Sequence, residues 1–294
     1  MSADTVPPFD RPSASAKALP RGACDTHAHV FGPYDRFPLA DPRPYTPAQA
    51  PKEHYLAMLK AVGFDRGVLV QGGANGWDHR AMLDAISAAP ERLRGIGVMP
   101  SDATDEQLEK LDVGGVRGLR FTEVAGPTAS QRFAGRVGFD ALAKLAPKMR
   151  RLGWHAVIWA NTSSIASSSD FLRQLGLPIV IDHLGYFDVT RGLEDPAFRS
   201  LQSLVEDGVA WVKLTAFRNS KSAPRYEDVR PFHDALVGAN PNRLLWGSDW
   251  PFLGMNLNRP DVGALLDLLD EWLSDDDLRD RVLVRNPAAL YGFD

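Results

Sequence analysis

Residues 178–185 read Pro-Ile-Val-Ile-Asp-His-Leu-Gly, an apolar, β-branched run that stops abruptly on an acid and an imidazole. A short run without polar alternation is the pattern of a strand covered on both faces, as in parallel sheets. Seven further runs of this kind lie at 23–26, 67–71, 95–99, 116–121, 154–159, 210–214 and 243–247. Segments with helical periodicity follow at 52–61, 78–88, 105–111, 139–151, 168–175, 196–206, 226–237 and 261–272, and a last pattern at 275–286 continues to Leu290. Eight strand–helix units in one chain predict an α/β protein whose parallel sheet closes into a TIM-type (β/α)8 barrel. No glycine-rich phosphate fingerprint opens any of these helices, so the open, doubly wound alternative lacks its usual nucleotide chemistry.

Working outward, the chain of 294 residues is 44% hydrophobic and 24% charged. That is enough for one barrel, which needs about 250 residues. A net charge of −4 gives no electrostatic reason to expect nucleic acid or an anionic membrane as partner. A single cysteine, Cys24, excludes an internal disulfide framework and a cysteine-rich zinc site, and it suits a reducing cytoplasm. Residues 1–22 contain no apolar core of signal-peptide length, and no later stretch reaches the roughly 18 apolar residues of a membrane span. The expected organisation is an irregular arm over 1–22 and one barrel domain over 23–294, in a cytoplasmic protein.

One connection breaks the rhythm. Residues 31–51, directly after the first strand, hold six prolines and no helical period. Long connections of this type are commonly lids. The aromatic residues Phe31, Tyr34, Phe37 and Tyr45 favour a packed cover over the barrel mouth, because disordered linkers are poor in aromatics.

In such a barrel the C-terminal strand ends build the site, so the polar residues that terminate the runs are the candidates. The first run ends Asp25-Thr26-His27-Ala28-His29, and a strand's period of two puts both histidines on one face. Two imidazoles at that spacing can hold a metal or jointly donate to an oxyanion. The sixth run ends on Asp182 and His183, where Asp182 is either a turn cap or a site residue. The eighth ends Ser248-Asp249-Trp250-Pro251, and a carboxylate at a buried strand end needs a partner or a task. Gln71, Arg120 and Trp159 lie at the ends of the second, fourth and fifth runs, and Arg218 follows the seventh. Guanidinium groups on this rim suit an anionic substrate, since each can grip a carboxylate or sulfonate through two hydrogen bonds. His155 begins its strand and belongs to the barrel floor. His54, His79 and His233 fall in helices or at their starts, with solvated or core roles. Lys213, inside the seventh run, is either buried and paired or turned to the site.

The motifs DTHAHVFGP, RGVLVQ, RGLRF, GWHAVIW, IVIDHLG, AWVKL and WGSDWP together resemble the amidohydrolase superfamily. The likeness is greatest to the branch of 2-pyrone-4,6-dicarboxylate lactonases, 4-sulfomuconolactone hydrolases and galactarolactone isomerases. It runs from about Arg21 to the C-terminus and implies the barrel independently of the strand count. It also implies that His27, His29 and His183 surround a lactone carbonyl, that Asp249 is the general base, and that Arg120 and Arg218 lie near substrate anions. Tyr186 stands where the pyrone lactonase has an arginine, Trp159 where it has a tyrosine, and Phe252-Leu253 where it has a polar residue after the proline. Many members of the superfamily hold zinc through the His-x-His pair, a fourth-strand lysine or fifth-strand histidine, and the last aspartate. Here Arg120 and Trp159 occupy the fourth and fifth strands, leaving His27, His29 and Asp249, with His183 as a further candidate. The pyrone lactonase works without metal. The resemblance therefore implies a metal-independent hydrolase that opens a small anionic lactone in aromatic-compound degradation, with Gln71, Trp159 and Tyr186 joining the arginines around the substrate. The alternatives are a zinc-dependent decarboxylase or lyase and a sugar-acid lactone isomerase.

Overall fold

A computed structural model describes residues 12–123, 135–255, 259–273 and 275–294. Its centre is eight parallel strands in sequential order, β1 (Cys24–Ala28), β2 (Arg66–Val70), β3 (Leu93–Gly97), β4 (Val116–Glu123), β5 (His155–Ala160), β6 (Ile179–Ile181), β7 (Ala210–Lys213) and β8 (Leu244–Leu245). The ring closes between β1 and the chain that follows β8. Thr26 N–H donates to Trp246 O (3.0 Å), Asp249 N–H to His27 O (2.8 Å) and His29 N–H to Trp250 O (2.8 Å). Asp25 locks this seam: it accepts from the Ser248 backbone N–H (2.8 Å) and hydroxyl (2.7 Å), and from Tyr55 (3.3 Å). Burial pushes the Asp25 carboxyl up to about 6 despite those bonds. The protein is a (β/α)8 barrel.

Around the sheet run α1 (Lys52–Val62), α2 (Arg80–Ala88), α3 (Asp105–Val113), α4 (Phe139–Arg151), α5 (Thr162–Ser167), α6 (Ser169–Gln174), α7 (Pro196–Glu206), α8 (Arg230–Ala239), α9 (Val262–Trp272), α10 (Asp276–Asp280) and α11 (Asn286–Tyr291). Their apolar faces bury Leu59, Met82, Leu145, Leu201, Leu236 and Leu266 against the outside of the sheet. Inside the barrel a second, smaller core is formed by Cys24, Val68, Val70, Ile96, Val157, Val180, Trp211 and Leu245. Tyr291 and Phe293 plug its floor, Phe293 lying under the guanidinium groups of Arg66 and Arg94. His155, at the start of β5, meets Tyr291 edge-on at 5.0 Å, which places it on the floor as its position in the run implied.

Residues 12–22 lie against the last helices, with Ser15 and the Ala16 N–H donating to Asp267. The proline-rich connection is tied at its base by a two-bond bridge between Phe31 and Ala50 (2.9 and 2.8 Å). Within it Tyr34 Oη donates to Pro47 O (2.7 Å), and Ala40 N–H reaches Ala74 O beyond β2 (2.9 Å). Among the described residues no helix is long and apolar enough to cross a membrane.

Candidate active site

β1 delivers His27 and His29 to one face, as the period of two requires, and both are buried. His29 Nδ1 lies 2.8 Å from Val70 O; a carbonyl can only accept, so Nδ1 carries a proton and Nε2 is the nitrogen turned to the site. His29 Nε2 faces Asp249 Oδ1 at 3.3 Å and His27 Nε2 at 3.3 Å. His27 Nε2 is 3.6 Å from Asp249 Oδ1.

The turn after β6 brings in two neighbours that an extended strand would point to opposite faces. His183, Leu184 and Tyr186 take positive φ (50°, 56° and 47°), and Asp249 does the same at 55°. Non-glycine residues rarely adopt this conformation, and it concentrates where function requires a particular side-chain aim. The turn sets the His183 ring 4.7 Å from that of His27 and its Nε2 3.9 Å from Asp249 Oδ2. Asn219 steadies it by donating to His183 O (2.8 Å).

Asp182 makes no side-chain capping bond. Its Oδ1 lies 3.0 Å from Lys213 Nζ and 3.1 Å from His27 Nδ1, and its Oδ2 accepts from Arg120 Nε at 3.0 Å. Lys213 also touches His27 Nδ1 at 3.0 Å. The second carboxylate, Asp249, accepts from Arg218 Nε at 2.5 Å, while Arg218 also donates to Leu253 O (2.8 Å). Burial pushes both carboxyls up, but the cations and imidazoles around them prevail and hold both well below the usual range. Burial likewise drives His183 down to about 4 and His27 well below its ordinary value, Lys213 adding to the effect on His27. Three basic side chains, Lys213, Arg120 and Arg218, thus face two carboxylates, and an anion entering the mouth meets a favourable field.

Aromatic walls complete the mouth. The Arg120 guanidinium lies 5.1 Å from the centre of the Trp159 ring, Trp159 meets Tyr186 edge-on at 6.0 Å, and Tyr186 meets His183 at 5.7 Å. From the proline-rich connection, Phe31 lies 6.2 Å from His29 and 6.4 Å from Tyr45. The structure therefore gathers His27, His29, His183, Asp249, Arg120, Arg218, Trp159 and Tyr186. Gln71 stands at the end of β2, but its amide N–H groups are taken by Gly76 O (3.1 Å) and Asp78 O (2.9 Å). Lys213 and Asp182, left ambiguous by the sequence, form the base of the site; a lysine inside the otherwise apolar run AWVKL was the available signal.

His27 Nε2, His29 Nε2 and Asp249 Oδ1 form a triangle with edges of 3.3 to 3.6 Å. Tetrahedral zinc with ligand bonds of about 2.0–2.1 Å needs edges of about 3.3 Å, so this donor set fits a divalent cation. His183 lies outside the triangle and groups instead with His27 and Asp182.

The amidohydrolase family model matches residues 24–293. The chain belongs to this family. A 4-sulfomuconolactone hydrolase of Rhizobium radiobacter is 37% identical to this amidohydrolase over 98% of its chain and 97% of the relative. A 2-pyrone-4,6-dicarboxylate hydrolase of Comamonas testosteroni is 35% identical over 96% and 94%. Among solved structures, one from Acinetobacter baumannii named for 2-pyrone-4,6-dicarboxylic acid hydrolysis, with citric acid bound, superposes at a TM-score of 0.79 with 25% identity, covering 92% of this chain and all of that one. An amidohydrolase of Burkholderia multivorans with bound zinc shares the barrel at a TM-score of 0.68 and 17% identity, over 94% of this chain and 100% of its own.

Proposed function

We propose that this amidohydrolase opens a small anionic lactone by hydrolysis, the kind of ring-opening step that aromatic-compound degradation requires. The observation that carries the reading is the convergence of three imidazoles on one ionised carboxylate, Asp249, whose outer oxygen is held by Arg218. Asp249 takes a proton from water, the resulting hydroxide attacks the lactone carbonyl, and the oxygen of the tetrahedral intermediate is received by N–H groups of His27 and His183. Because His29 gives its Nδ1 proton to Val70, it donates from Nε2 only as imidazolium, and its task is to share the proton that Asp249 gains. The ring C–O bond then breaks and Asp249 returns the proton to the departing oxygen.

Arg120 and Arg218 bind the substrate's anionic substituent, and the Trp159 and Tyr186 rings favour a planar, unsaturated lactone over a sugar-acid lactone. Replacing a cationic contact by Tyr186 shifts preference away from a dicarboxylate, so sulfomuconolactone and other muconolactones belong in the test panel beside pyrone dicarboxylate. Asp249→Asn should lower turnover of the preferred lactone by about 10²-fold or more with the fold retained; near-wild-type activity sinks the mechanism.

The donor triangle favours a second reading in which zinc sits on His27, His29 and Asp249. When bound there it would polarise the carbonyl or acidify a water. Metal analysis of the purified protein, with activity before and after chelation, separates the two: undiminished turnover in metal-free protein retains the first reading, and loss with restoration by zinc installs the second.

A further inference from the structure

The tautomer of His27 decides what the site can do. A proton on Nε2 makes His27 a donor toward a substrate oxygen; a proton on Nδ1 leaves an Nε2 lone pair for a cation. Nδ1 lies between a donor and an acceptor, Lys213 Nζ at 3.0 Å and Asp182 Oδ1 at 3.1 Å, and the two are themselves 3.0 Å apart. One edge of this triangle must go without a hydrogen bond. Lys213 has no acceptor, so an Nδ1–H would lie as close to an ammonium group as to the carboxylate. Asp182, which could accept it, is already shared by Lys213 and Arg120, leaving the cluster beside Nδ1 with two cations to one carboxylate. The opposite nitrogen faces the Asp249 carboxylate, which only accepts, and His29 Nε2, which accepts as well whenever His29 holds the single proton that Val70 places on its Nδ1. Both ends of the ring call for the same tautomer.

We propose that Lys213 is a positioning residue that fixes His27 with its proton on Nε2, so that the ring faces the substrate as a hydrogen-bond donor and is a poor ligand for a divalent cation. The inference rests on the reading of His27 as a donor to the lactone carbonyl. Without Lys213, Asp182 keeps Arg120 and accepts from Nδ1–H, the carboxylate–histidine arrangement that orients metal-binding imidazoles. One residue thereby sets the balance between hydrogen-bond and metal chemistry on a donor triangle that suits both.

The test is histidine nitrogen NMR on labelled protein, together with zinc affinity measured against a competing chelator, for wild type and Lys213→Met. His27 should carry its proton on Nε2 in the wild type and on Nδ1 in the variant, and the variant should bind zinc about ten- to a hundredfold more tightly. An Nδ1–H tautomer in the wild type overturns the proposal without any need for the variant to fold. So does a variant that keeps Nε2–H, or one that switches tautomer without a gain in zinc affinity. A wild-type Nε2–H tautomer beside a fully active Asp249→Asn variant would overturn the lactone mechanism while leaving the role of Lys213 intact.

Discussion

Asp182→Asn is the substitution whose cost follows most directly from the structure. Asp182 and Lys213 are wholly buried, and the carboxylate is the anionic partner within bonding distance of both Lys213 and Arg120. An amide in its place preserves shape and some hydrogen bonding but leaves two cations beside one another in the barrel. Removing one partner of a buried ion pair costs about 3–5 kcal/mol, chiefly through the charge left behind. At roughly 2–4 °C per kcal/mol, the melting temperature should fall by about 6–20 °C. Lys213→Met on the Asp182→Asn background removes the stranded ammonium, so the double variant should be more stable than the sum of the single changes by about 2 kcal/mol or more. Urea midpoints for the four proteins complete the cycle. A single-variant cost under about 1 kcal/mol, or strict additivity, would falsify the account of a charge-locked cluster.

Stability should also fall with acid earlier than the carboxylates alone would dictate. Burial holds His79 and His183 down at about 4 and His155 at about 3, so from about pH 6.5 to 4 the unfolded chain binds protons that the native protein refuses. Asp25, raised to about 6, works in the opposite direction but is outnumbered; urea midpoints should be lower at pH 5.5 than at pH 7, and a higher one contradicts the burial argument. Arg120→Met should raise KM for an anionic lactone by about tenfold or more while sparing an uncharged ester, a selectivity that a purely structural arginine would not produce. Gly247→Ala would put a Cβ 2.5 Å from His27 Cβ and 2.8 Å from its backbone nitrogen. A loss of about 1–3 kcal/mol with a fall in kcat is expected, and an unchanged enzyme would mean the seam yields more than its packing implies.

The sequence carried all eight strands because each is an apolar run flanked by helical periodicity, and it singled out His27, His29, His183 and Asp249, which the fold brings together, because they end those runs. The strand ends moved where side chains capture backbone groups. β3 was expected over 95–99 but stops at Gly97, since Val98 N–H donates to His79 Nε2 (3.1 Å). β8 shrinks to two residues because the carbonyls and amides that follow are spent on the seam with β1. The helix expected over 168–175 is α6, whereas α5 just before it was not anticipated: Asn161 begins it by accepting from Ser164 N–H, in a serine-rich stretch that carries little apolar period. Asp182 was ambiguous because alternation predicts which face a strand residue takes only while the backbone stays extended, and Lys213 because the anionic partner it needs lies at the end of another strand. The left-handed turn at His183 breaks that rule and lets adjacent residues converge on His27.

The seam between β1 and the chain after β8 has a consequence for when the enzyme becomes an enzyme. Its bonds run from Thr26, His27 and His29 to Trp246, Asp249 and Trp250, so Asp249, the proposed general base, reaches the histidines through the same contacts that join the first strand to the last. During synthesis the histidine pair emerges more than two hundred residues before Asp249. On the proposed mechanism a nascent or truncated chain ending before that residue would have neither a closed ring nor a base, and catalytic activity would report ring closure directly.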